Sequence, residues 1–162
     1  MNFRESAIDL ELLQYAPLLR WKEQNNASFV FDPIRKKYYA IQPEETVRQL
    51  LLLWFLDKTI FNAGTIRVEK QIQVNDLQRR FDIVVYDNHV QPLVIVECKS
   101  PDVTIDQKSF DQISAYNSVM GAPYMMVSNG IQTWITYQDK STRRFVFISS
   151  LPKWMMKEQK IS

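Results

Sequence analysis

Two acidic side chains and a lysine lie on two neighbouring apolar segments of this 162-residue sequence. Asp82 falls in one run of Val, Ile and aromatic residues (81–86), and Glu97 and Lys99 fall in or just after the next (93–98). Charged groups among aliphatic side chains are costly to remove from water unless they pair or bind a metal ion. Two carboxylates beside an ammonium group therefore point to metal-assisted phosphodiester hydrolysis.

The two apolar runs are typical of the strands of a β-hairpin, because a short polar segment containing Asp, Asn, Gln and Pro separates them. Side chains alternate between the faces of a strand, so Glu97 and Lys99 share one face. A hairpin centred at residues 89–90 sets Asp82 directly opposite Glu97 and on the same face. This register brings all three charged groups together.

A bound divalent cation would explain why such charged groups occur together among apolar side chains. Mg²⁺ takes one or two carboxylates and completes its shell with water and phosphate oxygens. We therefore expect Asp82 and Glu97 to bind Mg²⁺, with Mn²⁺ as a substitute, and Lys99 to orient the attacking water or to neutralise charge on the phosphate. The alternative is an ordinary solvated ion pair, since a Glu-x-Lys triplet is common in chains of this length.

A helix is predicted directly after these strands, over residues 104–120. Thr104 and Gln107 have the spacing of a capping box at its start. Gln112 and Tyr116 are four residues apart, so they project from one face of the helix. They form either a neutral surface pair or a pair that holds a phosphate and orients the catalytic lysine.

An Asp on one strand, a Glu-x-Lys on the next and a Gln-x-x-x-Tyr on the following helix resemble the PD-(D/E)XK nuclease superfamily. More narrowly, the chain resembles the N-terminal nuclease domain of type I restriction enzyme R subunits. The resemblance implies a Mg²⁺-dependent DNA endonuclease. Its active site would comprise two metal ligands, a catalytic lysine and a helix motif, namely Asp82 and Glu97, Lys99, and Gln112 with Tyr116.

Residues 31–49 also resemble the family's entry into its first core helix, whose glutamate can contribute to the active site. Glu45 would take that role here, with Glu44 as its competitor. Both acids lie in the first turn after Pro43, where the helix dipole favours negative charge, so a structural role is an equal alternative. The predicted helix extends over residues 43–57.

The chain departs from this family in two ways. It has only three glycines and no Gly-rich phosphate loop, so no helicase motor is encoded in it. Phe81 also stands where the superfamily has the proline of its Pro-Asp pair. The implied partners are DNA and other restriction-modification or helicase subunits, and no membrane.

Length and composition indicate one globular domain, with 46% hydrophobic and 23% charged residues. We expect a helical extension at residues 1–28, a core at 29–150 and a tail at 151–162. The net charge of +2 is too small to indicate nucleic-acid binding by itself. Basic runs at residues 35–37, 79–80 and 140–144 are candidate phosphate contacts or simply solvated faces.

Single Cys and His residues limit the chemistry further. Cys98 should point into the core, away from Glu97 and Lys99, which leaves no disulfide, zinc site or thiol nucleophile. His89 falls in the predicted turn and has no histidine partner for a metal site. The N-terminus lacks the apolar segment of a signal peptide, and the apolar run 50–56 is too short to span a bilayer, so a cytoplasmic location is expected.

The remaining patterns predict an α/β fold with a restriction-endonuclease-like three-layer core, a central mixed sheet flanked by helices. A helix crossover between the second site strand and the next strand would make those two strands parallel. The other predicted elements are a helix at 5–15, a hairpin of 29–31 with 38–41, an edge strand at 66–74, and strands at 124–128, 131–137 and 144–148, with a tight two-residue turn at Asn129-Gly130.

Three classes of function follow from these observations. The first is the metal-dependent nuclease. The second is a nucleic-acid-binding or partner-docking module that keeps the nuclease fold but is inactive alone. The third is an unrelated α/β protein in which the acids and the lysine form a structural ion-pair network, which would leave Asp82 far from Glu97.

Overall fold

The computed structural model describes residues 3–161. A six-stranded sheet in the order β4-β5-β6-β7-β8-β9 forms the centre, and β1, β2 and β3 form a separate three-stranded sheet. The elements are β1 (Trp21–Gln24), β2 (Ala27–Asp32), β3 (Lys37–Ala40), α1 (Pro43–Lys58), β4 (Ile66–Val74), β5 (Leu77–Tyr86), β6 (Pro92–Cys98), α2 (Gln107–Met120), β7 (Tyr124–Ser128), β8 (Thr133–Gln138) and β9 (Phe145–Ile148).

Alternation along the strands divides the core into two layers, one on each face of the central sheet. Ile83, Val85, Val94 and Val96 belong to the core that contains Leu51 and other apolar residues of α1. Successive side chains of a strand point to opposite faces, so their neighbours join the other layer. There Val84, Ile95, Met125 and Val127 pack with Phe110 of α2 and its surroundings. The predicted three-layer α/β arrangement is confirmed and is consistent with a restriction-endonuclease-like fold.

Strands β5 and β6 pair in the predicted antiparallel register. Ile83 lies opposite Val96 and Val84 opposite Ile95. Continued by one residue, the same register sets Asp82 against Glu97. The predicted edge position of β4 is also confirmed, since β4 pairs only with β5 in the sheet order.

The crossover through α2 makes β6 and β7 parallel, as predicted, with Glu97 opposite Val127. The start of α2 differs from the prediction, because the helix begins at Gln107 and not at residue 104. Asp106 is the N-cap residue, and its carboxylate accepts a hydrogen bond from the Ser109 N–H at 3.1 Å. A carboxylate satisfies a free N–H of the first turn at least as well as a threonine hydroxyl, so the predicted Thr104 capping box does not form.

The predicted helix at residues 5–15 is wrong. The segment contains two 3₁₀ helices, Phe3–Ser6 and Leu12–Leu18, and Pro17 lies inside the second. Between them Ile8 exchanges two backbone hydrogen bonds with Thr133, which pulls the chain onto the end of β8. Residues 3–28, the described part of the predicted extension, therefore form no α-helical unit, and they also contain β1, a strand that the sequence pattern did not reveal.

The connection between β7 and β8 is longer than predicted. It contains residues 129–132, because the Asn129 side-chain oxygen accepts hydrogen bonds from the N–H groups of Ile131 and Gln132. Gly130 adopts a φ of 89°. A Cβ at this position would lie 3.1 Å from Val47 Cγ2, so glycine suits both the turn and its contact with α1.

None of the helices within residues 3–161 has the length and apolar character needed to cross a bilayer.

The buried side chain of Asn117 closes the end of α2 onto β7. Its Nδ2 donates to the Ala122 carbonyl at 2.8 Å, and its Oδ1 accepts from the Ala122 N–H at 2.9 Å. Asn117→Ala leaves both backbone groups buried without partners, so we expect the free energy of unfolding to fall by about 2–4 kcal/mol in urea denaturation. Ser118→Ala, at an exposed neighbouring position, is the control; equal losses in the two variants would contradict this role.

Candidate active site

The carboxylates of Asp82 and Glu97 lie on neighbouring strands at one end of the β5–β6 pair. Asp82 reaches across to β6, where its Oδ2 accepts a hydrogen bond from the Cys98 N–H at 2.7 Å. Lys99 directly follows β6, and its N–H donates to the Ser128 carbonyl of β7 at 2.8 Å. A hydrogen bond to the Asp82 side chain of β5 and a backbone hydrogen bond to β7 thus hold the backbone that carries Glu97 and Lys99.

Glu97 and Lys99 form an ion pair, with 3.1 Å between Lys99 Nζ and Glu97 Oε1. About a quarter of each side chain is exposed, so the pair faces solvent while its stems are covered. Burial, and then the charge of Asp82, raise the pKa of Glu97 from 4.5 to about 7, against the opposing effect of Lys99. Two carboxylates so close together are a site where a further positive charge is stabilised.

Lys99 stays cationic at neutral pH. Burial acts to lower its pKa, but the charge and hydrogen bond of Glu97, with smaller effects of Glu44 and Asp82, raise the pKa above its ordinary value. An ammonium group held in this way can donate hydrogen bonds to a phosphate or a water molecule beside Glu97.

A buried guanidinium reaches the site from α1. Arg48 Nη2 donates to Asp82 Oδ1 at 2.6 Å, and Arg48 Nη1 donates to Glu45 Oε2. Burial opposes the charged form of Arg48, but the hydrogen bond and charge of Asp82 and the charge of Glu45 raise its pKa still further. Arg48 therefore links the first acid of the site to the predicted helix glutamate.

Glu45 is fully engaged with positive and amide groups. Its Oε1 accepts from Arg35 Nη2 at 2.7 Å and from Gln49 Nε2 at 2.9 Å, while its other oxygen pairs with Arg48. Asp32, whose side chain is completely buried, binds the same Arg35 and Gln49. We call Asp32, Arg35, Glu45, Arg48, Gln49 and Glu69 the buried ion network.

Glu69 joins this network from the edge strand β4. Its carboxylate lies 3.3 Å from Arg35 Nη1 and 3.5 Å from Arg48 Nη2. The residue has a φ of 53°, a left-handed conformation that costs energy for a side chain such as glutamate. Val68 and Lys70, on either side of Glu69, pair with Ile83 and Phe81, on either side of Asp82, so this strain lies beside the site.

Glu44, the competitor of Glu45, is exposed. Its charge contributes to the raised pKa of Lys99, so it faces the same side of the molecule as the ion pair. The first turn of α1 thus places one glutamate in the buried ion network and the other near the lysine.

Gln112 and Tyr116 meet as predicted, with 3.0 Å between Gln112 Nε2 and the Tyr116 hydroxyl. The guanidinium of Arg79 lies 5.3 Å from the centre of the Tyr116 ring. Arg79 precedes Asp82 by three residues, or about 10 Å along a strand. Within the described part of the chain, hydrogen bonds join the pair to each other and not to Asp82, Glu97 or Lys99.

Sequence patterns missed the buried ion network. Arg35 was expected to be a candidate phosphate contact, but its side chain is only 15% exposed and binds three carboxylates. The spacing of Arg48 could have indicated that it is buried. It lies three residues after Glu45, three before Leu51 and four before Leu52, and these positions form the buried stripe of α1. Cys98 is buried as predicted, and burial raises the pKa of its thiol.

The donor set fits a cation that needs few protein ligands. No group of three or more His, Cys, Asp or Glu side chains within residues 3–161 is arranged to hold a metal ion. Asp82 and Glu97 supply two carboxylates, and the partial exposure of Glu97 leaves room for solvent. Mg²⁺ binds with one or two carboxylates plus water and phosphate oxygens, so the chemistry of these donors suits it better than a zinc-type cage.

Arg48→Met tests the buried guanidinium. The variant keeps the apolar stem of the side chain but removes a buried positive charge from Asp82 and Glu45, so the free energy of unfolding should fall by about 3–5 kcal/mol. Arg80→Met is the control, because Arg80 is 60% exposed and lies 3.5 Å from Glu69; it should cost less than about 1 kcal/mol. A similar loss in both variants, measured by urea denaturation, would contradict the role of Arg48.

The raised pKa of Glu97 predicts that the free energy of unfolding depends on pH. The folded protein keeps the Glu97 proton up to about pH 7, whereas the unfolded chain releases it near pH 4.5, so this group makes stability fall as pH rises between these values. Glu97→Gln removes the effect. In the absence of divalent cations, the free energy of unfolding of the variant, relative to that of the natural protein, should rise by about 1–3 kcal/mol from pH 4.5 to about pH 7. A constant difference across the window would contradict the raised pKa.

Residues 43–152 match the family described as the type I restriction enzyme R protein N terminus (HSDR_N), and this range contains all six predicted site residues. A comparison with curated proteins finds no match.

Among solved structures, the chain is similar to a fragment assigned to an HsdR subunit of a type I restriction enzyme from Vibrio vulnificus YJ016. Sequence identity is 21% and the TM-score is 0.36, over 59% of this chain and 18% of that chain. The chain therefore spans less than a fifth of that relative. Because the family match extends over more than half of its residues, the chain belongs to the type I restriction enzyme R protein N-terminus family, which supports a nuclease-related role.

Proposed function

We propose that this chain is a Mg²⁺-dependent DNA endonuclease domain of the PD-(D/E)XK type. The observation that carries the proposal is the pairing of β5 with β6, which aligns Asp82 with Glu97 while Lys99 contacts Glu97 at 3.1 Å. Family membership supports the same reading, because it points to a nuclease-related role.

Asp82 and Glu97 are the proposed metal ligands. When bound, Mg²⁺, or Mn²⁺ in its place, supplies a Lewis acid that polarises the phosphoryl group and favours ionisation of water. The protein keeps Asp82 in place through the Cys98 N–H and the Arg48 guanidinium, so one carboxylate is fixed before any cation arrives. Glu97, with its raised pKa, loses its proton readily when positive charge comes near.

Lys99 is the proposed catalytic lysine. Its Nζ has three donors, of which one is directed to Glu97. The remaining donors can hold the attacking water or a non-bridging phosphate oxygen, where they offset negative charge that develops in the transition state. The exposed Glu44 on α1 adds negative charge that keeps this ammonium group protonated.

Glu45 is proposed as a positioning residue and not as a metal ligand. One of its carboxylate oxygens accepts hydrogen bonds from Arg35 and Gln49, and the other pairs with Arg48. Arg48 in turn binds Asp82. Gln112 and Tyr116 are proposed to contact the DNA phosphate backbone beside the scissile bond, with Arg79 next to them supplying positive charge.

DNA is the proposed substrate, and other restriction-modification or helicase subunits are the proposed partners. The similar Vibrio vulnificus chain is more than five times the length of the region it shares with this one, which is the reason to propose that further domains or subunits supply translocation. A cytoplasmic location and the absence of a membrane partner belong to the same proposal.

Lys99→Ala is the direct test. Cleavage of linear, circular and single-stranded DNA is measured with Mg²⁺ or Mn²⁺, and Lys153→Ala, at an exposed lysine of the 3₁₀ helix Lys153–Met155, is the control. The Lys99 variant should lose about 100-fold or more in rate, because one electrostatic donor is removed from the transition state, while the control stays active. Metal-dependent cleavage retained by Lys99→Ala would remove Lys99 from the mechanism.

If the natural protein itself cleaves none of these substrates, the result favours a binding module that acts only with a partner.

Gln112→Ala probes the helix motif in the same assay. The side chain is exposed and bonds only to Tyr116 among the hydrogen bonds described, so we expect a loss of roughly tenfold in rate with unchanged stability. A fully active Gln112 variant would mean that the pair is an ordinary surface contact.

A further inference from the structure

A second cavity, of about 680 Å³, lies on the other side of α2 from the candidate active site. Its wall on the helix is a stripe at residues 107, 110, 111, 114, 117 and 118, whose spacing of three and four residues marks one face. Gln112 and Tyr116 lie outside this stripe. Helix α2 thus separates the cavity from the proposed nuclease site.

The floor of the cavity comes from β7, β8 and β9. Thr136 of β8 lies opposite Met125 of β7 and opposite Phe147 of β9, so all three occupy one row across the sheet, and all three line the cavity. Met125 is buried, and Phe145 and Phe147 are partly buried against the core on the α2 side. The floor is therefore apolar and aromatic.

Thr136 is a polar exception in this floor. The residue is 3% exposed, and its Oγ1 is buried without a hydrogen-bond partner among the residues described. A buried hydroxyl without a hydrogen-bond partner is destabilising, so its presence in the folded protein needs an explanation. Thr136 lines the cavity, so a ligand there can supply the missing partner once the side chain rotates to expose its hydroxyl.

Two arginines stand at the rim. Arg143 and Arg144 are exposed, and no ion pair within residues 3–161 involves either guanidinium. The turn that carries them is fixed, because Asp139 N–H donates to the Arg144 carbonyl and Arg143 N–H donates to the Asp139 carbonyl, both at 2.8 Å. The rim carboxylate, Asp111, accepts a hydrogen bond from Gln107 at 3.1 Å.

We infer that this cavity binds a nucleoside monophosphate. The arginines match the phosphate, since a guanidinium fork pairs with two phosphate oxygens. The aromatic and Met floor matches the flat face of a base, and the Thr136 hydroxyl matches a polar edge of that base. The volume is within the range of small-molecule pockets. The inference rests on different residues from the nuclease proposal, so either can fail alone.

The test is calorimetric titration of the full chain with dAMP, inorganic phosphate and deoxyadenosine, in the presence of a chelator so that no divalent cation occupies the acid pair. We expect dAMP to bind at least about tenfold more tightly than either fragment, because only dAMP engages both the rim and the floor. Equal affinity for dAMP and inorganic phosphate, or no binding of dAMP, would overturn the inference.

Two variants assign the binding to the cavity. Arg144→Gln should weaken dAMP binding by about tenfold, while Lys153→Gln, which removes the same charge from an exposed position of the 3₁₀ helix Lys153–Met155, should not. Thr136→Val should weaken it by several-fold without lowering the melting temperature, because the hydroxyl it removes has no hydrogen-bond partner within residues 3–161. Unchanged dAMP affinity in Arg144→Gln would overturn the inference, and since this position is exposed, that result does not depend on folding of the Thr136 variant.

A 5′-phosphorylated dinucleotide distinguishes two sources of the same chemistry. Binding tighter than that of dAMP assigns the cavity to the end of a DNA strand, and weaker binding assigns it to the free nucleotide. Both results support recognition of a nucleotide through its phosphate and base.

Discussion

Two carboxylates on neighbouring strands of an apolar sheet repel each other, and the structure depends on how this repulsion is balanced. Asp82 is held by the Cys98 N–H and the Arg48 guanidinium, and Glu97 is held by Lys99. Each acid thus has its own cation, one buried on α1 and one partly exposed after β6. Because the second cation is only partly buried, the side of the site that faces Lys99 remains open to water and to a phosphate.

The balance extends beyond the two acids. Arg48 would itself be a buried charge without a counterion if Glu45 and Asp82 did not contact it, and Arg35 is tied to Asp32 and Glu45 in the same way. This explains why acidic and basic residues occur in the otherwise apolar stripe of α1. Breaking any member leaves a neighbour buried with unpaired charge, so the network couples the placement of α1 to the position of Asp82.

Local rules were enough to predict how the strands that carry Asp82 and Glu97 pair. The alternation of Val and Ile with the spacing across residues 89–90 predicts the register that the strands adopt, and the same alternation predicts that Cys98 is buried. The crossover helix predicts the parallel pairing of β6 and β7. These features depend on neighbours in sequence or on the period of a strand, which are visible in one chain.

What could not be predicted depends on contacts between distant segments. From the sequence alone, Arg35 is interpreted as a solvated basic residue, because the three carboxylates that bind it lie on β2, α1 and β4. The segment around Ile8 has an amphipathic pattern, but its backbone bonds to Thr133, more than a hundred residues away. The start of α2 was misplaced for a smaller reason, the choice between Thr104 and Asp106 as the cap. In each case tertiary contacts or a competing cap override the local pattern.

The central claim is that Asp82 and Glu97 together hold a divalent cation. The most direct test is calorimetric titration of Mn²⁺ into the natural protein, Asp82→Asn, Glu97→Gln and the control Glu69→Gln. Glu69 is an acid of the buried ion network and is not a proposed ligand. We predict that each ligand variant binds Mn²⁺ at least about tenfold more weakly, while Glu69→Gln stays close to the natural affinity. Equal Mn²⁺ affinity in Asp82→Asn, Glu97→Gln and the natural protein would contradict the account and leave the cluster as a structural ion-pair network.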